Sequence, residues 1–123
     1  MERKKYSWKI GLVVLLLFHG VGVIGLSQGI SQNLFLLLTP FNLVLSTVVL
    51  AYYHEEWSKP FLLTAMASFL LGWGVEVLGV QTGRIFGIYS YGEGLGYGLF
   101  GVPLSMGINW MLLVYATSIM TSK

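Results

Sequence analysis

The chain has 123 residues, of which 55% are hydrophobic and only 10% charged, with 16 glycines and no cysteine. Soluble domains usually carry about 25% charged residues, so this low share, with a mean hydropathy of +0.75, excludes an ordinary soluble domain and marks a membrane protein. The lack of cysteine disfavours a disulfide-stapled module and a thiolate metal site. The net charge is only +2. Four of the seven basic residues, Arg3, Lys4, Lys5 and Lys9, cluster at the N-terminus, which is a topology signal and not a nucleic-acid surface.

In chain order, the first apolar stretch covers residues 10–26. A basic start followed by an apolar run also fits a cleaved signal, but a signal's apolar region usually runs about 7–15 residues before an A-x-A-like site. This run is longer than most and lacks the site, so a retained helix is expected. His19 sits about 13 Å into that helix at 1.5 Å per residue, and a hydrogen bond across a helix interface is its expected role. Residues 34–53 form the second stretch, with Pro40 near its start, and residues 61–80 the third, just after Pro60. Residues 99–120 form the fourth, with Pro103 early in it.

Each stretch approaches the roughly 20 residues that a helix needs to cross the hydrocarbon. The expected fold is therefore all-α: a single polytopic membrane domain over residues 1–123 with four transmembrane helices. A long Gly/Tyr-rich outer loop at residues 81–98 joins helices three and four. With the N-terminus inside, Arg3, Lys4, Lys5, Lys9, Lys59 and Lys123 lie inside and Arg84 alone outside. That bias predicts a multi-pass protein of the plasma membrane with both termini cytoplasmic. Trp8, Tyr52, Tyr53 and Trp57 fall at the inner boundary and Tyr97 at the outer one, as interfacial anchors do. His54, Glu55, Glu56 and Lys59 read as a solvated turn, and no metal-binding spacing such as H-E-x-x-H is present.

An ionisable residue inside a span is costly and needs a reason. Glu76 lies sixteen residues beyond Pro60, about 24 Å along the helix and so near its outer end. Two readings stay open. Glu76 reaches outward to the headgroups or to Arg84, or it is a partly desolvated carboxyl that serves as a general acid. The segment Gly79–Pro103 holds eight glycines, three tyrosines and the outer charges Arg84 and Glu93. Loops this long are usually functional or disordered, and the apolar content of this one argues for order. Glycines 79, 83 and 87 recur every fourth residue, which suggests a continued helix with a small-residue face. Gly96, Gly98 and Gly101 form G-x-G-x-x-G, but no βαβ context surrounds them, so phosphate binding is discarded. Two acids, one guanidinium and several phenols beside apolar helices suit a lipophilic substrate whose reacting end is an alkene. An acid would protonate it, and the ring faces of Tyr89, Tyr91 and Tyr97 would stabilise the cation.

At this segment the chain resembles the carotenoid biosynthesis protein family, which includes carotenoid hydratases. The resemblance is carried by Glu76-Val77-Leu78-Gly79-Val80-x-Thr82-Gly83, Phe86-Gly87-x-Tyr89-x-Tyr91, Leu95-Gly96, Phe100-Gly101-Val102-Pro103 and Trp110. It implies a prokaryotic integral membrane hydro-lyase, cofactor-independent and without metal, that hydrates the terminal double bond of a carotenoid or other long isoprenoid. Glu76 would be the first choice of acid and Glu93 the second catalytic candidate. Thr82, Arg84, Tyr89, Tyr91 and Trp110 would contact substrate or place the water, while Gly83, Gly87 and Gly101 let backbones approach. Family members are about twice as long, so the chain corresponds to the N-terminal half. It is expected to be a truncated copy or a half-size subunit that pairs with itself or with a second half-size subunit. Membrane lipid is the other expected partner. The alternative is a non-catalytic carotenoid-binding or scaffold subunit. A small transporter is disfavoured, because no intramembrane charge pair or inverted repeat is visible.

Overall fold

The computed structural model describes residues 2–29 and 31–122, without the side chains of residues 2–7 and Glu93. It is mostly helical and divides into two compact units, Met1–Glu56 and Trp57–Lys123. Three helical segments are long and apolar enough to cross a membrane: Trp8–Ser27, Gln32–Tyr53 and Lys59–Thr82. These identify the chain as a membrane protein.

The first unit is a helical hairpin of α1 (Glu2–Ser27) and α2 (Gln32–Tyr53). Its turn is held by the Ser31 hydroxyl, which donates to the Gly25 carbonyl at 2.8 Å. Aromatic rings lie directly on glycines at both ends of the hairpin, Tyr53 over Gly11 and Phe35 over Gly25, where a Cβ would collide with the ring. Close approach at small residues is how membrane helices gain packing energy without a hydrophobic driving force. Pro40 lies inside α2 and not in its first turn. It removes one backbone donor, and the helix continues through it with the Thr39 hydroxyl donating to the Phe35 carbonyl at 2.9 Å. Among the described residues, His19 makes no cross-helix bond of the expected kind. Its Nδ1 donates to the Leu15 carbonyl of its own helix at 2.8 Å, which satisfies that nitrogen locally.

In the second unit the Ser58 hydroxyl accepts from the Phe61 amide at 3.2 Å and caps α3 (Lys59–Thr82). Pro60 stands in the first turn, where its missing N–H costs nothing. The helix stops at Thr82, because Gly83 adopts a left-handed conformation with φ 63° and its amide bonds back to the Gly79 carbonyl. The every-fourth-residue glycines therefore do not extend the helix. Gly79 is the last of them inside it, and Gly87 also has positive φ.

The expected plain loop at 81–98 and the expected fourth span at 99–120 are both revised. A 3₁₀ turn (Glu93–Leu95) is followed by a small antiparallel hairpin of β1 (Gly98–Leu99) and β2 (Val102–Pro103), and α4 begins only at Ser105 and ends at Thr121. The reason is turn chemistry. Phe100 and Gly101 are the two residues between paired Leu99 and Val102, and both have positive φ, 53° and 79°. That is the signature of a type I′ turn. Pro103 accordingly ends a strand and does not start a helix. With 17 residues, α4 is at the short limit of the spanning range.

The hairpin is docked on α3. Val102 is fully buried, its carbonyl accepts from the Trp73 indole at 3.3 Å, and the Gln81 amide donates to the Phe100 carbonyl at 3.1 Å. Because the turn requires a left-handed residue at 101, Gly101→Ala is expected to cost about 1–2 kcal/mol. It would be read as a lowered midpoint of thermal unfolding in detergent.

The α3–α4 contact exchanges rings for glycines. Trp110 of α4 lies on Gly72 of α3, and Phe69 of α3 lies on Gly107 of α4. The buried positions shown in this contact, Gly72 and Gly107, are small, so side chains near the crossing can meet.

Candidate functional site

One face of α3 presents Gly72, Glu76 and Gly79, at positions i, i+4 and i+7, which stack along a helix. The two glycines flank the carboxylate and leave space for aromatic rings. Trp110 occupies the space over Gly72, and the Tyr89 hydroxyl lies where a Cβ on Gly79 would come within 2.7 Å of it. Both rings turn their polar atoms toward Glu76.

The result is a carboxyl group with three donors. Glu76 Oε2 accepts from Tyr91 Oη at 2.7 Å and from Tyr89 Oη at 2.8 Å. Glu76 Oε1 accepts from the Trp110 Nε1–H at 3.0 Å. Tyr89 Oη also lies 3.4 Å from the backbone carbonyl of Glu76. The two tyrosine rings meet edge to face with centroids 5.6 Å apart, and Phe86 packs on Tyr89 in the same manner at 6.2 Å. Such edge-to-face contacts hold ring orientation, and here they fix where the hydroxyls point.

Glu76, Tyr89, Tyr91 and Trp110 are all partly buried. Burial, the hydrogen bonds to Glu76 and its nearby charge push both phenols above the usual tyrosine range. They therefore remain neutral hydroxyls at physiological pH, able to donate and to accept. A carboxyl oxygen between two neutral phenols can hold or release a proton without leaving any polar group unpaired.

Of the residues singled out in the sequence, Glu76, Tyr89, Tyr91 and Trp110 come together in this cluster. Thr82 and Arg84 do not join it. The Thr82 hydroxyl donates to the Leu78 carbonyl at 2.6 Å and accepts from the Arg84 amide at 3.3 Å, so it finishes the helix end. Arg84 is exposed just beyond that end. Among the described residues it makes no ion pair with Glu76, whose oxygens face the tyrosines and the indole. The backbone of Glu93 opens the 3₁₀ turn, and its side chain lies outside the described residues.

Several contributors were not singled out in the sequence. Gly72 makes room for Trp110, and Trp73 and Gln81 pin the hairpin. The Ser105 hydroxyl donates to the Leu95 carbonyl at 2.9 Å, which ties the start of α4 to the end of the 3₁₀ turn. The one signal available for Gly72 was its spacing of four from Glu76.

Residues 38–123, well over half of the chain, match the family described as carotenoid biosynthesis protein. Comparison with curated proteins and with solved structures returned no match. The matched segment contains all of α3, the hairpin and α4, and with them every member of the Glu76 cluster. The chain belongs to the carotenoid biosynthesis protein family.

Proposed function

We propose that the chain hydrates the terminal double bond of a carotenoid or similar long isoprenoid, with Glu76 as the acid. The observation that carries this reading is the carboxyl group in an apolar helix, held by two phenols and an indole. An acid for a hydrocarbon substrate has to sit where the hydrocarbon sits, and the expense of a carboxyl there is offset by the three donors.

In the proposed step the proton of Glu76 adds to the less substituted carbon of a trisubstituted alkene. An O–H bond breaks, a C–H bond forms, and the π electrons leave a tertiary cation. The faces of Tyr89 and Tyr91 stabilise that charge. Water attacks the cation and its surplus proton returns to the Glu76 carboxylate, so one alkene and one water give one tertiary alcohol. Thr82 and Arg84, at the outer end of α3, stand at the rim where water enters, and Glu93 is the second acid of that side.

On this reading α4 serves as a fourth crossing and both termini lie in the cytoplasm of a prokaryotic cell. A second subunit, either another copy of the chain or a separate half-size protein, contributes the remaining wall. The test is expression in cells that make an acyclic carotenoid, with pigments separated by chromatography. A hydroxylated product from the chain alone, or from the chain with a co-expressed partner subunit, is the expected result. Absence of product in both, with carotenoid co-purifying, would replace the enzyme by a binding subunit.

A further inference from the structure

The two oxygens of Glu76 have chemically different neighbours. Oε1 faces an indole N–H, which donates only, and Oε2 faces two phenols, which donate or accept. A proton on Oε1 would point one hydrogen at another, with no acceptor on the indole. A proton on Oε2 meets acceptors. We propose that Trp110 is a positioning residue that fixes the acid proton of Glu76 on Oε2, on the side of the tyrosines. The inference rests on the reading of Glu76 as an acid.

The geometry also separates the two phenols. When Oε2 carries the proton, one phenol accepts it and has to direct its own hydrogen elsewhere. Tyr89 has such an outlet, the Glu76 backbone carbonyl at 3.4 Å, which as a carbonyl has a second lone pair beyond its helical bond. Tyr89 therefore turns and becomes the acceptor, while Tyr91 continues to donate to Oε2. In both protonation states every hydrogen of the cluster has a partner. The proton leaves toward the substrate from the Tyr89–Oε2 side, never from the Trp110 side.

The carbonyl stretching band of protonated Glu76 tests this directly. Infrared difference spectra of the chain in proteoliposomes, recorded across pH without substrate, should contain a carboxylic acid band that is lost in Glu76→Gln. In Trp110→Phe that band is expected to move to higher wavenumber, because Oε1, as the carbonyl oxygen, loses its donor. The move should exceed any caused by Tyr89→Phe. Should the phenylalanine variant fail to fold, 3-benzothienylalanine at position 110 keeps the ring's shape over Gly72, lacks the N–H and should give the same shift. A Trp110 that only packs would leave the band in place, and that outcome overturns the proposal. Failure to find any band that depends on Glu76 would instead overturn the acid reading itself. Since no substrate is present, a chain inactive toward carotenoids still gives a decisive spectrum.

Discussion

Glu76→Gln is expected to lower hydrated product by about 10²- to 10⁴-fold, the range usually contributed by a positioned general acid, while leaving the chain folded. Glutamine has the length of glutamate, and its amide oxygen can still accept from Trp110. Its amide nitrogen accepts nothing, so its two hydrogens would be donated to Tyr89 and Tyr91, whose hydroxyls have to turn to accept them. What disappears is the transferable proton. The measurement is product per mole of chain in membranes supplied with an acyclic carotenoid. Full activity in this variant would remove Glu76 from the mechanism. Glu76→Ala is the less informative change, since it leaves three donors without their acceptor at about 1–3 kcal/mol each and confounds folding with chemistry.

Gly72→Ala is expected to destabilise the chain by about 1–3 kcal/mol, the usual range for overpacking a contact, and to reduce activity with it. The sign carries the information. At an unconstrained helical position, glycine to alanine stabilises by roughly 1 kcal/mol. Gly74, two residues further along the same helix, has open space at its Cβ position, so Gly74→Ala should be neutral or slightly stabilising. At Gly72 the new methyl meets the Cβ and Cγ of Trp110. Either α3 and α4 separate or the indole swings away from Glu76. Thermal unfolding of both variants in detergent gives the comparison, and equal midpoints for the two would show that the ring and the glycine are not in contact.

Much of this arrangement was legible in the chain. Three apolar runs announced the three long helices to within two or so residues at the ends away from the charged N-terminus, because length and hydropathy are local properties. The position of Glu76 toward the C-terminal end of its helix followed from counting residues after Pro60. Its partners Tyr89, Tyr91 and Trp110 were nameable, but only as separate candidates around a substrate. That all three point at the same carboxyl group depends on the left-handed turn at Gly83 and on the register of α4 against α3, neither of which appears in a hydropathy pattern. The hairpin escaped for a similar reason. Phe-Gly is an uncommon type I′ pair, and the apolar run from Leu99 hides it inside what looks like one continuous helix. Thr82 and Arg84 stood out in the sequence as substrate-contact candidates, and in the structure the Thr82 hydroxyl and the Arg84 amide meet at the end of α3, apart from the carboxyl group of Glu76.

The donors of Glu76 lie 13, 15 and 34 residues after it along the chain. Since a polypeptide is made from its N-terminus, Glu76 is part of the chain before any of these donors has been added. The tyrosines follow within a short stretch, so the first polar contacts close locally. The indole comes last, once α4 is laid against Gly72. Biogenesis therefore passes through a stage at which the acid is present without its indole, and arrival of Trp110 is the event that completes it. A chain ended between residues 91 and 110 would leave the carboxyl group with phenols alone.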